Sequence, residues 1–80
     1  MWFTYILRCG DGTLYTGITN NVQKRLKAHQ DGKGAKYTRG RGPIVMVAHF
    51  GFKTKSEAAK EECRIKKLSK TQKEMLIYSG

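Results

Sequence analysis

The sequence predicts a small α/β sandwich: one three-stranded antiparallel sheet flanked by helices, in the order β-β-α-β-α-α. Three observations lead there. Two β-rich runs flank the punctuation Gly10-Asp11-Gly12, a continuous apolar run follows Pro43, and the stretches after the second and third strands carry helical spacing. Eighty residues hold a single domain, 1–80, with no room for a second core.

Residues 2–9 alternate loosely and are rich in β-formers, among them Trp2, Phe3, Tyr5 and Ile6, and residues 13–18 form the matching strand of a hairpin. Loop length decides which side chains share a face. A two-residue Asp11-Gly12 loop puts Tyr5 and Tyr15 on opposite faces. A three-residue Gly10-Asp11-Gly12 loop with Gly12 left-handed pairs Cys9 with Thr13, sets Tyr15 across from Leu7, and sets Tyr5 across from Gly17. The chain pattern alone accommodates either register.

In "NNVQKRLKAHQDG", Asn20 is the expected cap, with Gln23 three residues on, and Asp31-Gly32 closes the helix. Val22, Leu26 and His29 form one stripe, with Arg25 at its edge and one turn from His29. For an arbitrary helix the ordinary account is a solvated Arg25 and a hydrogen-bonded boundary His29. Residues 32–42, "GKGAKYTRGRG", are glycine-rich and basic but lack the G-K-[S/T] ending of a phosphate-binding Walker loop. They read either as a solvated loop or as a phosphate clamp. In the second case Lys33, Lys36, Arg39 and Arg41 supply charge, together with Lys24 on the helix, and Tyr37 supplies a stacking surface.

Pro43 opens "PIVMVAHFGF", read as a buried strand in which His49 is structural. From Thr54 the pattern turns helical: Ala58, Ala59, Ile65 and Leu68 lie on an inward arc, with Glu62 near its middle. An acid there is costly unless paired or bound to a cation. Ser69-x-x-Gln72 is a capping box that starts a last short helix carrying Met75, Leu76 and Ile77.

Sixteen Lys and Arg against six Asp and Glu give a formal charge of +10. Such an excess in so short a chain calls for an anionic partner, nucleic acid first. The membrane reading is weak, because no apolar run is long enough to span a bilayer and no basic amphipathic helix has a Trp/Phe/Leu face. Without a signal peptide pattern, the expectation is a soluble, cytoplasmic protein. Cys9 and Cys63 stand far apart, outside any C-x-x-C pair or zinc-finger spacing, and read as reduced structural thiols.

The residues that such a fold does not need are Tyr5, Tyr15, Arg25, His29 and Glu62. Two phenols, a guanidinium, an imidazole and one carboxylate suit phosphodiester hydrolysis. A lone carboxylate can hold one mostly hydrated Mg²⁺, and the arginine can stabilise phosphate charge. "TYIL", then "LYTGIT", then Arg25 and His29 in "KRLKAHQ", then "AAKEECRIKK" resemble the GIY-YIG nuclease superfamily, in particular its small stand-alone bacterial members. The ordered set covers nearly the whole chain, and its spacings are specific where Y-x-G alone is not.

The resemblance implies the family's sheet and helix order. It also implies a divalent-metal-dependent endonuclease in which a single Mg²⁺ or Mn²⁺ assists in-line attack by water on DNA. The two motif tyrosines fall on Tyr5 and Tyr15, the helix arginine and histidine on Arg25 and His29, and the metal-binding glutamate on Glu62. One tyrosine acts as general base, and the choice varies among members. A site that needs both phenols on one face requires the three-residue hairpin loop.

Thr4 departs from the first motif, and Thr16 stands where isoleucine or valine is commoner. No zinc-finger or helix-hairpin-helix module accompanies the motifs, so structure-specific cutting is the expectation, with a protein partner supplying substrate recognition. The alternative is a non-catalytic DNA- or RNA-binding module, or a subunit of a repair complex, that keeps the fold.

Overall fold

A computed structural model describes residues 1–34 and 38–79. β1 (Trp2–Arg8), β2 (Leu14–Thr19) and β3 (Val45–Phe52) form an antiparallel sheet in the order β2-β1-β3, with α1 (Val22–Gln30), α2 (Lys55–Lys66) and α3 (Lys70–Ser79) packed around it.

The hairpin takes the three-residue loop. The Cys9 amide donates to the Thr13 carbonyl and the Gly12 amide to the Cys9 carbonyl, both at 2.9 Å. Gly12 has φ +86°, a left-handed conformation that glycine adopts without penalty. Asp11 holds the turn by accepting from the Thr13 amide at 3.1 Å and from its hydroxyl at 2.6 Å. These bonds, with Arg41 at 2.6 Å, bring its carboxyl down to about 2. The resulting register pairs Tyr5 with Gly17 and Leu7 with Tyr15.

Strand alternation then sorts the sheet faces. Tyr5, Leu7 and Cys9 join Ile44 in a core cluster against which Tyr15, Leu26 and Met46 pack. Thr4 lies on the opposite face, where its hydroxyl donates to the Ala58 carbonyl of α2 at 2.7 Å. Ala58 and Ile65 are the fully buried residues of α2. A bidentate pair from Arg8 to Glu74, at 2.8 and 2.5 Å, ties α3 to β1.

Three expectations need correction. The cap of α1 is Asn21, not Asn20: its side chain accepts from the Lys24 amide at 3.0 Å, while Thr19 turns the chain by hydrogen bonding to Asn21. β3 is an edge strand and only partly buried. β1 takes the central place, so Thr4 to Leu7 are sealed and His49 is exposed beside the Phe3 ring. A continuous apolar run does not by itself separate an edge strand from a central one.

The third correction concerns Glu62, which is not buried at the centre of an apolar face. Its side chain keeps 25% exposure and pairs with Lys66 one turn on, at 3.5 Å. The helix turns it to the margin of the buried arc, where the carboxylate stays hydrated. The helical start at Thr54 and the Ser69–Gln72 capping box agree with the structure. Thr54 accepts from the Glu57 amide, and Ser69 and Gln72 satisfy each other's amides at 2.9 and 3.1 Å.

Candidate active site

The sheet and α1 bring four of the sequence-derived residues together. Tyr5 rises from the central strand, 1% exposed, and its ring fills the space left by the absent side chain of Gly17 on β2. A Cβ at Gly17 would lie 2.6 Å from the Tyr5 hydroxyl and 2.7 Å from Cζ. His29, in the last turn of α1 and 1% exposed, reaches the same point from above. Its Nε2 is 3.0 Å from the Tyr5 hydroxyl, and Arg25, one turn earlier, donates from Nε to that oxygen at 3.4 Å.

The Tyr15 ring completes an aromatic cluster, with its centroid 5.4 Å from that of His29 and 6.4 Å from that of Tyr5. It is half-buried, so Tyr15 is the phenol closer to solvent and Tyr5 the sealed one.

Burial raises the Tyr5 phenol above its ordinary value, opposed by the hydrogen bond and charge of Arg25, with small upward contributions from Tyr15 and Glu62. Burial, and then the Arg25 charge, hold the His29 imidazole below its ordinary value. At neutral pH the pair is a protonated phenol against a neutral imidazole. Such a pair accepts one proton readily only at the free imidazole nitrogen.

Thr38 is a member of this group that the sequence reading did not single out. Its hydroxyl, 2% exposed, lies 2.7 Å from His29 Nδ1. Gly34 packs against the same ring so closely that a Cβ would collide with Nδ1. Nothing in the local pattern "KYTRG" marks a threonine as a histidine partner; the contact joins Thr38 to α1 across nine residues of chain.

Glu62 enters the environment of Tyr5 as a charge and has its ion pair with Lys66. Among the described residues no three His, Cys, Asp or Glu side chains gather as a metal cage. The donor set nevertheless fits a largely hydrated Mg²⁺, which needs only one or two carboxylates. The Glu62–Lys66 pair, with an ammonium 54% exposed, is too weak to commit the carboxylate.

The basic residues divide. Lys24, Lys33 and Arg39 project to solvent. Arg41 instead pairs with Asp11 at 2.6 Å and accepts from the Gly10 amide at 2.6 Å, stapling the loop to the hairpin. Lys36 and Tyr37 lie outside the described residues. A surface cleft of about 240 Å³, lined by Thr19, Asn20, Asn21, Lys24, Arg25 and Ala28, adjoins the cluster, so Arg25 links open surface to the sealed phenol. A larger concavity, about 440 Å³, runs along the free edge of β3 and shares no residue with the cluster. No helix among the described residues is long and apolar enough to cross a membrane.

Residues 1–75 match the GIY-YIG catalytic domain family. The chain is 56% identical over 79 residues to UPF0213 protein CPE1444 of Clostridium perfringens, covering 99% of this chain and 85% of that protein. It is similar to the solution NMR structure of UPF0213 protein BH0048 from Bacillus halodurans, at 51% identity and TM-score 0.62, over 98% of this chain and 84% of that one. It is also similar to the solution NMR structure of protein EF2693 from E. faecalis, at 42% identity and TM-score 0.60, over 92% of this chain and 80% of that one. With its β-β-α-β-α-α order and a family match over residues 1–75, the chain belongs to the GIY-YIG catalytic domain family, beside the small UPF0213 proteins.

Proposed function

We propose that the chain hydrolyses phosphodiester bonds in DNA with the help of one divalent cation. The observation that carries this reading is the hydrogen-bonded run from Arg25 through Tyr5 to His29, open to solvent at the arginine and closed at the imidazole. A binding module would gain little from a neutral histidine sealed behind a phenol. Arg25, at the edge of the basic cleft, binds a phosphate oxygen and offsets charge that grows as the bond breaks. Tyr5, sealed and donating to His29 Nε2, accepts from Arg25 and so fixes the guanidinium at the edge of the cleft. The half-buried Tyr15 is the phenol that can take a proton from the attacking water.

Glu62 is the residue that would hold Mg²⁺ or Mn²⁺; such an ion, when bound, neutralises phosphate charge and polarises the scissile group. Exposed Lys24, Lys33 and Arg39 grip the backbone without reading bases, which favours recognition of DNA shape over sequence. Substrate selection through a protein partner belongs to the same proposal.

The test is incubation of the protein with branched, nicked and single-stranded DNA and Mg²⁺ or Mn²⁺, against EDTA. Cleavage that EDTA abolishes and that Arg25→Ala reduces is the expected result. DNA binding without cleavage of any substrate by either metal would replace this reading with that of a nucleic-acid-binding module.

A further inference from the structure

We propose that Thr38 is a positioning residue that locks His29 in the tautomer protonated at Nδ1, leaving Nε2 free to accept from Tyr5. The inference rests on the proposed cleavage reaction for its consequence but not for its geometry.

Ring-nitrogen protons follow from the hydrogen bonds available to them. Arg25 Nε can only donate, so the Tyr5 oxygen accepts from it. The phenolic proton then needs an acceptor, and among the described residues the one within reach is His29 Nε2 at 3.0 Å. Nε2 is therefore bare, and the ring, held neutral by burial and Arg25, carries its proton on Nδ1. That proton points at the Thr38 hydroxyl, 2.7 Å away. Both groups are sealed from water, Thr38 at 2% and His29 at 1% exposure, so no solvent molecule substitutes for the hydroxyl as acceptor.

Without this hydroxyl, the Nδ1–H would be buried and unpaired, which is unfavourable. The ring then gains by moving its proton to Nε2, where it faces the phenol. In that state Tyr5 has lost its acceptor, and its oxygen is no longer fixed as the acceptor that holds the Arg25 guanidinium at the cleft. Gly34 supports the same arrangement, since any larger side chain would push the ring off Thr38.

The experiment reads the tautomer directly, by long-range ¹H–¹⁵N correlation of the imidazole in the uniformly labelled chain, above the pH at which His29 titrates. Wild type is expected to show the Nδ1–H form. Thr38→Val, which removes the hydroxyl but keeps the shape, is expected to shift the ring toward Nε2–H and to lower kcat for DNA cleavage by about 10- to 100-fold, with KM little changed. Thr38→Ser should restore both.

An Nε2–H signature in wild type overturns the proposal, and that measurement stands even if Thr38→Val does not fold. Retention of Nδ1–H in a folded Thr38→Val overturns it as well. If the tautomers behave as expected and wild type cuts no DNA, the cleavage reading fails while the assignment of Thr38 holds. If wild type cuts and Thr38→Val cuts equally fast, the positioning role fails and cleavage stands.

Discussion

Gly17→Ala tests the packing on which the site depends. The new methyl would sit 2.6 Å from the Tyr5 oxygen, 2.7 Å from Cζ and 3.2 Å from Tyr15 Cε2, against 3.4 Å for ordinary contact. The deficit is about 0.8 Å at the phenol oxygen. Tyr5 cannot swing away, because it is 1% exposed and its oxygen is held by His29 at 3.0 Å and Arg25 at 3.4 Å.

Overpacking of this kind costs about 1–3 kcal/mol, and two clashing atoms of a confined ring point to the upper half. In a domain of this size that lowers Tm by roughly 10–20 °C. Gly51→Ala is the matched control. Its Cβ meets Met1 Sδ at 3.2 Å, the end of a side chain 72% exposed and free to move, so Tm should change little. Thermal unfolding followed by circular dichroism measures both variants. Displacing the phenol by most of an ångström should also lower DNA cleavage at permissive temperature by about 100-fold. Equal Tm values for the two variants would refute the argument, since they differ chiefly in what the methyl meets.

Four other outcomes are expected. The folded state depresses the His29 pKa, so its contribution to stability is full above the unfolded value of 6.5 and is lost as pH falls toward the folded one; His29→Gln should flatten that part of a urea-unfolding profile. Thr16 is 3% exposed, and its hydroxyl has no hydrogen-bond partner among the described residues. Thr16→Val should therefore raise stability by about 1 kcal/mol, and a fall in Tm would reveal a partner. Neutralising Lys24, Lys33 or Arg39 should each flatten the log–log salt dependence of DNA affinity by about one unit. Arg41→Gln should change that slope less, because its guanidinium is engaged by Asp11. Glu62→Gln should abolish metal-dependent cleavage while leaving Tm nearly unchanged, since the exposed pair with Lys66 contributes little; equal cleavage by wild type and variant would make Glu62 a structural acid.

Element order and chain punctuation were legible in the linear pattern. Gly12 in a left-handed turn, Thr54 before α2, and the Ser69–Gln72 box before α3 act within three or four residues, so their chemistry is local. The boundary at α1 slipped by one, because Asn20 and Asn21 are equally good caps and Thr19, by binding the Asn21 amide, decides between them. Tyr5, Tyr15, Arg25 and His29 stood out because a bare fold needs none of their polar groups. Their meeting required the three-residue loop, one of two registers that the sequence allowed.

The sequence by itself determined what short-range chemistry can determine: which stretches pair or coil, the basic charge that suits an anionic partner, and the family. Tertiary structure alone decided where burial falls and which distant groups touch. β3 is an edge strand because β1 pairs on both sides. Glu62 stays partly hydrated because α2 turns it to the margin. Arg41 is drawn to Asp11 across thirty residues of chain. Thr38 meets His29 across nine residues of chain that carry no periodic signal. Exposure and long-range hydrogen bonds depend on the sum of all packed surfaces, and no window of the sequence contains that sum.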